Sequence, residues 1–147
     1  MKTPYELAKK LAEYGVWGAG CDPTPEQKEW AADCIEAAIA IAKGANIGSV
    51  AVCGKEWSVD LLVKRAHCFR VWARLRSLER SDIVEEISSF LHGDESPESC
   101  ANAHSIAESI ADEVIDEVAR SADSDYWDAE DLHSAALKVI AEMVANN

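Results

Sequence analysis

Carboxylates are the side chains of this chain whose types and spacing could do chemistry or bind a partner. Asp112, Glu113, Asp116 and Glu117 recur at helical spacing, so they are predicted to share the outer side of one helix. Like charges at this spacing slightly destabilise a free helix, and a cationic partner would offset that cost. Five more acids follow in an acidic turn: Asp123, Asp125, Asp128, Glu130 and Asp131. These nine carboxylates are our candidate partner-binding residues.

A second set of carboxylates has the spacing of a magnesium site. Asp82-x-x-Glu85 is followed, after 27 residues, by Glu113-x-x-Asp116. With the local sequences IVEEISSFL and IADEVIDEVA, this arrangement resembles the all-α nucleoside triphosphate pyrophosphohydrolases of the MazG and dimeric dUTPase group. The resemblance implies that four carboxylates from two helices hold Mg²⁺ ions, which bind the triphosphate and activate water. The chain departs from the family pattern at two positions. Asp82 stands where the family has Glu, and Ser89 stands where the family usually has a glutamate.

A metal could also use Cys100, His104 and Glu108, which are spaced one helical turn apart. A zinc site needs three or four ligands at fixed geometry, and nothing in the sequence brings His67 or Cys68 to this place. On the helical wheel Cys100 and His104 fall on the apolar side, where small core cysteines and hydrogen-bonded histidines are common. We therefore expect these two side chains to fill the core, and we predict no catalytic residue, metal site or cofactor.

The elements that must position these side chains are predicted to be helices. Apolar residues make up 48% of the 147 residues, many of them alanine, and only 4 prolines and 7 glycines interrupt the chain. This composition favours an all-α fold, a single-domain bundle of about six helices spanning residues 1–147. The five cysteines form no C-x-x-C pair, and the sequence has neither a signal-like start nor an apolar run approaching the roughly 20 residues that span a bilayer. We expect a cytoplasmic protein with no membrane contact.

The predicted helix over residues 58–79 is expected to be central, because apolar side chains occupy most of its circumference. Arg65 and Arg76 fall near the middle of the apolar arc. Three other cations fall on the opposite side: Lys64, Arg70 and Arg74. Buried guanidinium groups need partners, so one hypothesis is a cationic central helix wrapped by acidic helices. The other is an ordinary amphipathic helix whose two arginines extend to its rim.

The remaining helices are predicted from capping residues and apolar periodicity, over about 3–14, 25–43, 81–92, 97–122 and 128–145. Residues 44–57 leave two alternatives open, a short extended piece or one helical turn. Gly48 and Gly54-Lys55 do not form a phosphate-binding P-loop, because five residues separate the glycines and Glu56 follows the lysine.

Charge is distributed unevenly along the chain. Residues 1–78 hold 9 acids and 11 Lys or Arg, a balance of +2, whereas residues 79–147 hold 18 acids and only 3 Lys or Arg, a balance of −15. Such asymmetry argues against direct binding of the second half to nucleic acid or to an anionic membrane. It favours a cationic partner, either a protein or a nucleoprotein complex.

In size, acidity and lack of catalytic motifs the chain is similar in character to phage-encoded inhibitors such as anti-CRISPR and anti-restriction proteins. This resemblance of type implies a protein-binding module that acts as a DNA or RNA mimic and blocks a nucleic-acid-binding protein or complex, which favours a non-enzymatic role. Two alternatives stay open. One is the Mg²⁺-dependent pyrophosphohydrolase using Asp82, Glu85, Glu113 and Asp116. The other is a structural subunit that forms a homo-oligomer and whose acidic face is only solvated.

Overall fold

The fold is all-α, with one small β-hairpin as its only sheet among the described residues. The computed structural model describes residues 3, 6, 8–10, 12, 13, 23–52, 54–92 and 97–146. Six helices lie in this part of the chain: α1 (helical at 6, 8–10, 12 and 13), α2 (Pro25–Gly44), α3 (Val59–Ser77), α4 (Arg80–His92), α5 (Pro97–Arg120) and α6 (Ala129–Ala145). None of the described helices is both long and apolar enough to cross a membrane.

Side-chain caps fix where several helices begin. Ser58 accepts a hydrogen bond from the backbone N–H of Leu61 and so starts α3. Three other starts have reciprocal capping boxes: Thr3 with Glu6, Thr24 with Gln27, and Asp128 with Asp131. These starts agree with the predicted ones because the cap is a local interaction that the sequence specifies directly.

Of the two alternatives for residues 44–57, the extended one is right. Strands β1 (Ser49–Val52) and β2 (Lys55–Ser58) pair antiparallel, with Ser49 opposite Ser58 and Val52 opposite Lys55. The connection contains Gly54, whose φ of 80° lies in the left-handed region that glycine adopts without a steric penalty. Val50 is fully buried, so the hairpin packs against the core and leads directly into α3.

Helix α3 is central, as predicted, because its two halves belong to two different hydrophobic clusters. Leu62, Ala66 and Phe69 pack with α1, α2 and β1. Val71 and Leu75 pack with α4, α5 and α6. The helix therefore joins the two clusters, and a side chain on almost any face of it meets a neighbouring element.

The predicted distribution of the arginines around α3 is wrong in one respect. Arg65, predicted within the buried arc, is exposed, and Arg70, predicted on the opposite side, has only 12% of its side chain exposed. The reason is that α2 packs along the side of α3 that carries Arg70. The helical wheel gives the angular position of each residue, but it does not say which side a neighbouring helix covers.

Two leucines of α3 give a matched test of this packing. We expect Leu75→Ala, which removes a fully buried side chain, to lower the free energy of unfolding by about 2–5 kcal/mol. Leu61→Ala should lower it by less than about 1 kcal/mol, because Leu61 is 48% exposed. Urea denaturation followed by circular dichroism measures both, and equal losses would contradict the placement of α3.

Candidate functional site

Arg70 binds three carboxylates of α2. Its Nη1 donates to Glu29 at 2.7 Å, and its Nη2 donates to Asp33 and Glu36, each at 2.7 Å. Its Nε donates to the second oxygen of Glu36 at 3.1 Å. Hydrogen bonds to Glu36 above all raise the pKa of this guanidinium. Acids four and three residues apart share one helix face, so α2 presents all three to a single planar cation whose donors match carboxylate geometry.

Arg76 makes the corresponding contact with α5. Its Nη1 donates to Asp112 at 2.9 Å and its Nη2 donates to Asp116 at 3.3 Å. The indole N–H of Trp72 donates to the same Asp116 oxygen at 3.1 Å, and the Arg76 guanidinium lies 5.3 Å from the centre of the Trp72 ring. Asp112 and Asp116, both among the nine predicted partner-binding carboxylates, therefore contact the central helix through Arg76. Their side chains are still about half exposed.

The segment between α5 and α6 is bound to α3 through Asp125. One carboxylate oxygen of Asp125 lies 2.5 Å from Nδ1 of His67, and the other lies 3.8 Å from Nε of Arg70. Arg74 donates a hydrogen bond to the backbone carbonyl of Asp125. Together with the contacts to α2 and α5, these pairs confirm that acids surround a cationic central helix, with Arg76 and Arg70 as the paired arginines. The exposed side chain of Arg65 agrees instead with the alternative, an arginine that extends to the rim of the helix.

Glu117 does not lie on the outer side of α5, where it was predicted with Asp112, Glu113 and Asp116. It is only 4% exposed. Its carboxylate accepts hydrogen bonds from Lys138 at 2.6 Å and from Ser121 at 3.0 Å, and the hydrogen bond from Lys138 is the main cause that lowers its pKa. The prediction failed because α6 packs over this part of α5 and supplies the countercharge.

The rest of the nine divide into two groups. Asp128 and Asp131 cap the start of α6, where each accepts a backbone hydrogen bond from the other. Glu113, Asp123 and Glu130 are exposed and make no hydrogen bond or ion pair through their side chains within the described part of the chain. We call these three the open carboxylates. The structure therefore separates anchoring acids from open ones and does not bring all nine into one free face.

Glu142 is a further acid that the sequence pattern did not indicate. It lines a groove of about 300 Å³ between α5 and α6, together with Glu113 and the partly exposed side chain of Met143. Glu113 and Glu142 lie on different helices, so their shared groove is a consequence of helix packing. Four acids line the groove against one cation, Arg120, which pairs with Glu117. Its acidic excess and the apolar side chain of Met143 suit a lysine or arginine, whose charged head and aliphatic stem need both kinds of contact.

The residues proposed for metal binding do not converge. Among the described residues, no three or more Asp, Glu, His or Cys side chains lie close enough together to hold a metal ion. Asp82 and Glu85 are exposed on α4, while Asp116 is bound to Arg76 and Trp72. The four-carboxylate arrangement therefore finds no geometric support in this part of the chain.

His104 is another correction. Its side chain was predicted to fill the core, but it is 56% exposed, with Nε2 lying 3.3 Å from Glu108 on the same helix. The buried side of α5 runs through Ala103 and Ala107, which leaves His104 toward solvent. The side chain of Cys100 lies outside the described residues.

Comparison with protein-family models, with curated proteins and with solved structures finds no match for this chain.

The buried carboxylate of Glu117 predicts a pH-dependent contribution to stability. Because its pKa in the folded protein is lowered from 4.5, the contribution is fully present above the pKa of the unfolded chain. It is lost as the pH falls through the folded-state pKa. We expect Glu117→Gln to reduce the free energy of unfolding at pH 7 by about 1–3 kcal/mol. This difference should narrow progressively below pH 4.5.

Urea denaturation of both proteins between about pH 3 and pH 7 measures this difference. Glu113→Gln, on the same helix but exposed, is the matched control and should change the free energy of unfolding at pH 7 by less than about 0.5 kcal/mol. A difference for Glu117→Gln that does not vary with pH would show that the ionised carboxylate is not what stabilises this site.

Proposed function

We propose that this protein is a binding module that uses the acidic surface of its second half to block a nucleic-acid-binding protein or complex. One observation carries the proposal. Residues 79–147 have a net charge of −15, and only some of their acids form ion pairs with cations of the protein. Besides the open carboxylates and Glu142, three exposed acids at the start of α4 have no ion pair in the described part of the chain: Glu79, Asp82 and Glu85.

The contact surface that fits best consists of the open carboxylates and the groove containing Glu142. The open carboxylates make no ion pair in the described part of the chain, so a partner cation binds them without breaking a contact of the fold. Asp112 and Asp116 are held by Arg76 but remain about half exposed. They add negative potential to this surface. Because Arg76 already holds their side chains in place, less side-chain entropy is lost when a partner binds.

A nucleic-acid groove is the cationic surface that matches this chain most closely in charge. Proteins that bind DNA or RNA present Lys and Arg side chains to phosphates, and exposed carboxylates on a rigid helical frame offer negative charge to the same side chains. Complementary charge accelerates association and is screened by salt. An inhibitor of a defence or regulatory complex, of the anti-CRISPR kind, would act in this way in the cytoplasm.

Charge reversal of the open carboxylates tests the proposal. The variant carries Glu113→Lys, Asp123→Lys and Glu130→Lys, and the matched control carries Glu79→Lys, Asp82→Lys and Glu85→Lys, with the same change in net charge. We expect wild type and control to capture a nucleic-acid-binding complex from a host lysate at low salt. The variant should retain at least about tenfold less, because close charge pairs are lost and repulsion replaces them.

Two further results are required. Capture by the wild type must fall between 0.05 M and 0.5 M salt, and added DNA or RNA must displace the captured complex. Equal loss in the variant and the control would mean that net charge alone is responsible. Capture that neither nucleic acid nor salt reduces would contradict the proposal.

A further inference from the structure

A cavity of about 440 Å³ opens between α2, β2, α3 and α5, and its lining differs in charge from the rest of the protein. Three aromatic rings line it: Trp57, Phe69 and Trp72. Four cations line it as well: Lys28, Lys64, Arg65 and Arg120. Asp116 is the only acid among the described lining residues, and it already accepts hydrogen bonds from Trp72 and Arg76. The cavity is within the roughly 300–1,000 Å³ typical of small-molecule sites.

Three of these cations make no direct contact with a carboxylate in the described part of the chain. Lys28, Lys64 and Arg65 make no hydrogen bond or ion pair with an acid there. The other five arginines of that part all do so: Arg70, Arg74, Arg76, Arg80 and Arg120. The chain has 27 acids and only 14 Lys or Arg, so carboxylates are abundant. Unpaired cations grouped around one cavity therefore indicate an anion that comes from outside.

Lys28 is the most confined of the three. Its ammonium lies 4.1 Å from the centre of the Phe69 ring and 5.5 Å from that of Trp72, and the Arg65 guanidinium lies 4.7 Å from the Phe69 ring. Burial, followed by the neighbouring charge of Arg65, lowers the pKa of Lys28. The aromatic faces stabilise these cations only in part. Asp116 supplies part of the countercharge, and a bound anion would supply more.

We propose that this cavity binds a small phosphorylated ligand with a planar ring, of the size of a nucleoside monophosphate. A phosphate monoester carries a charge of about −1.5 to −2 at pH 7. It can accept paired hydrogen bonds from the Arg65 guanidinium and contact the Lys28 and Lys64 ammonium groups as point charges. The planar ring packs against the indoles of Trp57 and Trp72, which give it apolar contact on the cavity wall.

A small ligand fits this place better than a nucleic-acid strand. Basic grooves with stacking aromatic side chains also bind single strands, but such a strand would continue beyond the cavity. It would then pass over the surface of a protein with a net charge of −13, which repels a polyanion. Four cations lie together at the cavity, and a ligand that stays beside them avoids that repulsion. The proposal does not depend on the acidic partner-binding surface.

Isothermal titration calorimetry with fragments of one ligand tests the proposal. The probes are adenosine 5′-monophosphate, adenosine, which lacks the phosphate, and ribose 5-phosphate, which lacks the ring. We expect the monophosphate to bind and each fragment to bind at least about tenfold more weakly, because each forgoes one set of contacts. The other three nucleoside 5′-monophosphates are measured in parallel, since the aromatic walls contact any ring face.

The variant Lys64→Gln/Arg65→Gln tests the position of the phosphate. Both side chains are exposed, so the fold should persist, and circular dichroism checks that it does. We expect affinity for the monophosphate to fall at least about tenfold, since charge-assisted hydrogen bonds are removed. The control Lys9→Gln/Lys43→Gln makes the same change in net charge at exposed positions that do not line the cavity, and it should stay within about twofold of wild type.

Three results would overturn the proposal. One is no heat of binding with any monophosphate at millimolar concentration. Another is an equal loss of affinity in the variant and the control. The third is binding of a short single-stranded oligonucleotide with no binding of the mononucleotides, which would identify a strand-binding groove instead.

Discussion

The pairing of α3 cations with surrounding carboxylates is the interaction on which the rest of the structure depends. Arg70 contacts α2, Arg76 contacts α5, and His67 and Arg74 contact the segment between α5 and α6. Exposed ion pairs contribute little to stability, but removing one partner of an enclosed pair leaves an uncompensated charge and costs several kcal/mol. Only 12% of the Arg70 side chain is exposed, so Arg70 is more enclosed than Arg74 or Arg76 among the paired cations of α3.

The same pairing determines which acids remain for a partner. Asp112, Asp116 and Asp125 are bound to α3, and Glu117 is buried against α6. What remains is a smaller and better defined negative surface, together with one cavity where the cations are in excess. The protein therefore has three regions of different charge. The ion pairs around α3 are neutralised within the fold, the exposed acids form a negative surface, and the cavity between α2, β2, α3 and α5 is positively charged. This separation is the physical basis of both binding proposals.

Local signals predicted the fold well, and contacts between elements were predicted less well. Capping at Thr3 and Thr24 set helix starts that the structure confirms, because a cap involves residues close in sequence. Glu117 and His104 were misplaced because their environment depends on α4 and α6, which pack on particular sides of α5. The cavity lined by Lys28 and Trp57 had no sequence signal, since those residues are far apart in the chain. Only the packing of α2, β2 and α3 brings them together.

A double-mutant cycle between Arg70 and Glu36 tests the central claim most directly. Urea denaturation would give the free energy of unfolding for wild type, Arg70→Met, Glu36→Gln and the double variant. Glu36 accepts hydrogen bonds from both Nε and Nη2 of Arg70, so we predict a coupling energy of about 1–3 kcal/mol. The control cycle pairs Arg70→Met with Glu113→Gln, which makes no contact with Arg70, and should give a coupling near zero. A coupling below about 0.3 kcal/mol for the Arg70–Glu36 pair would contradict the claim that the cations of α3 hold the acidic helices in place.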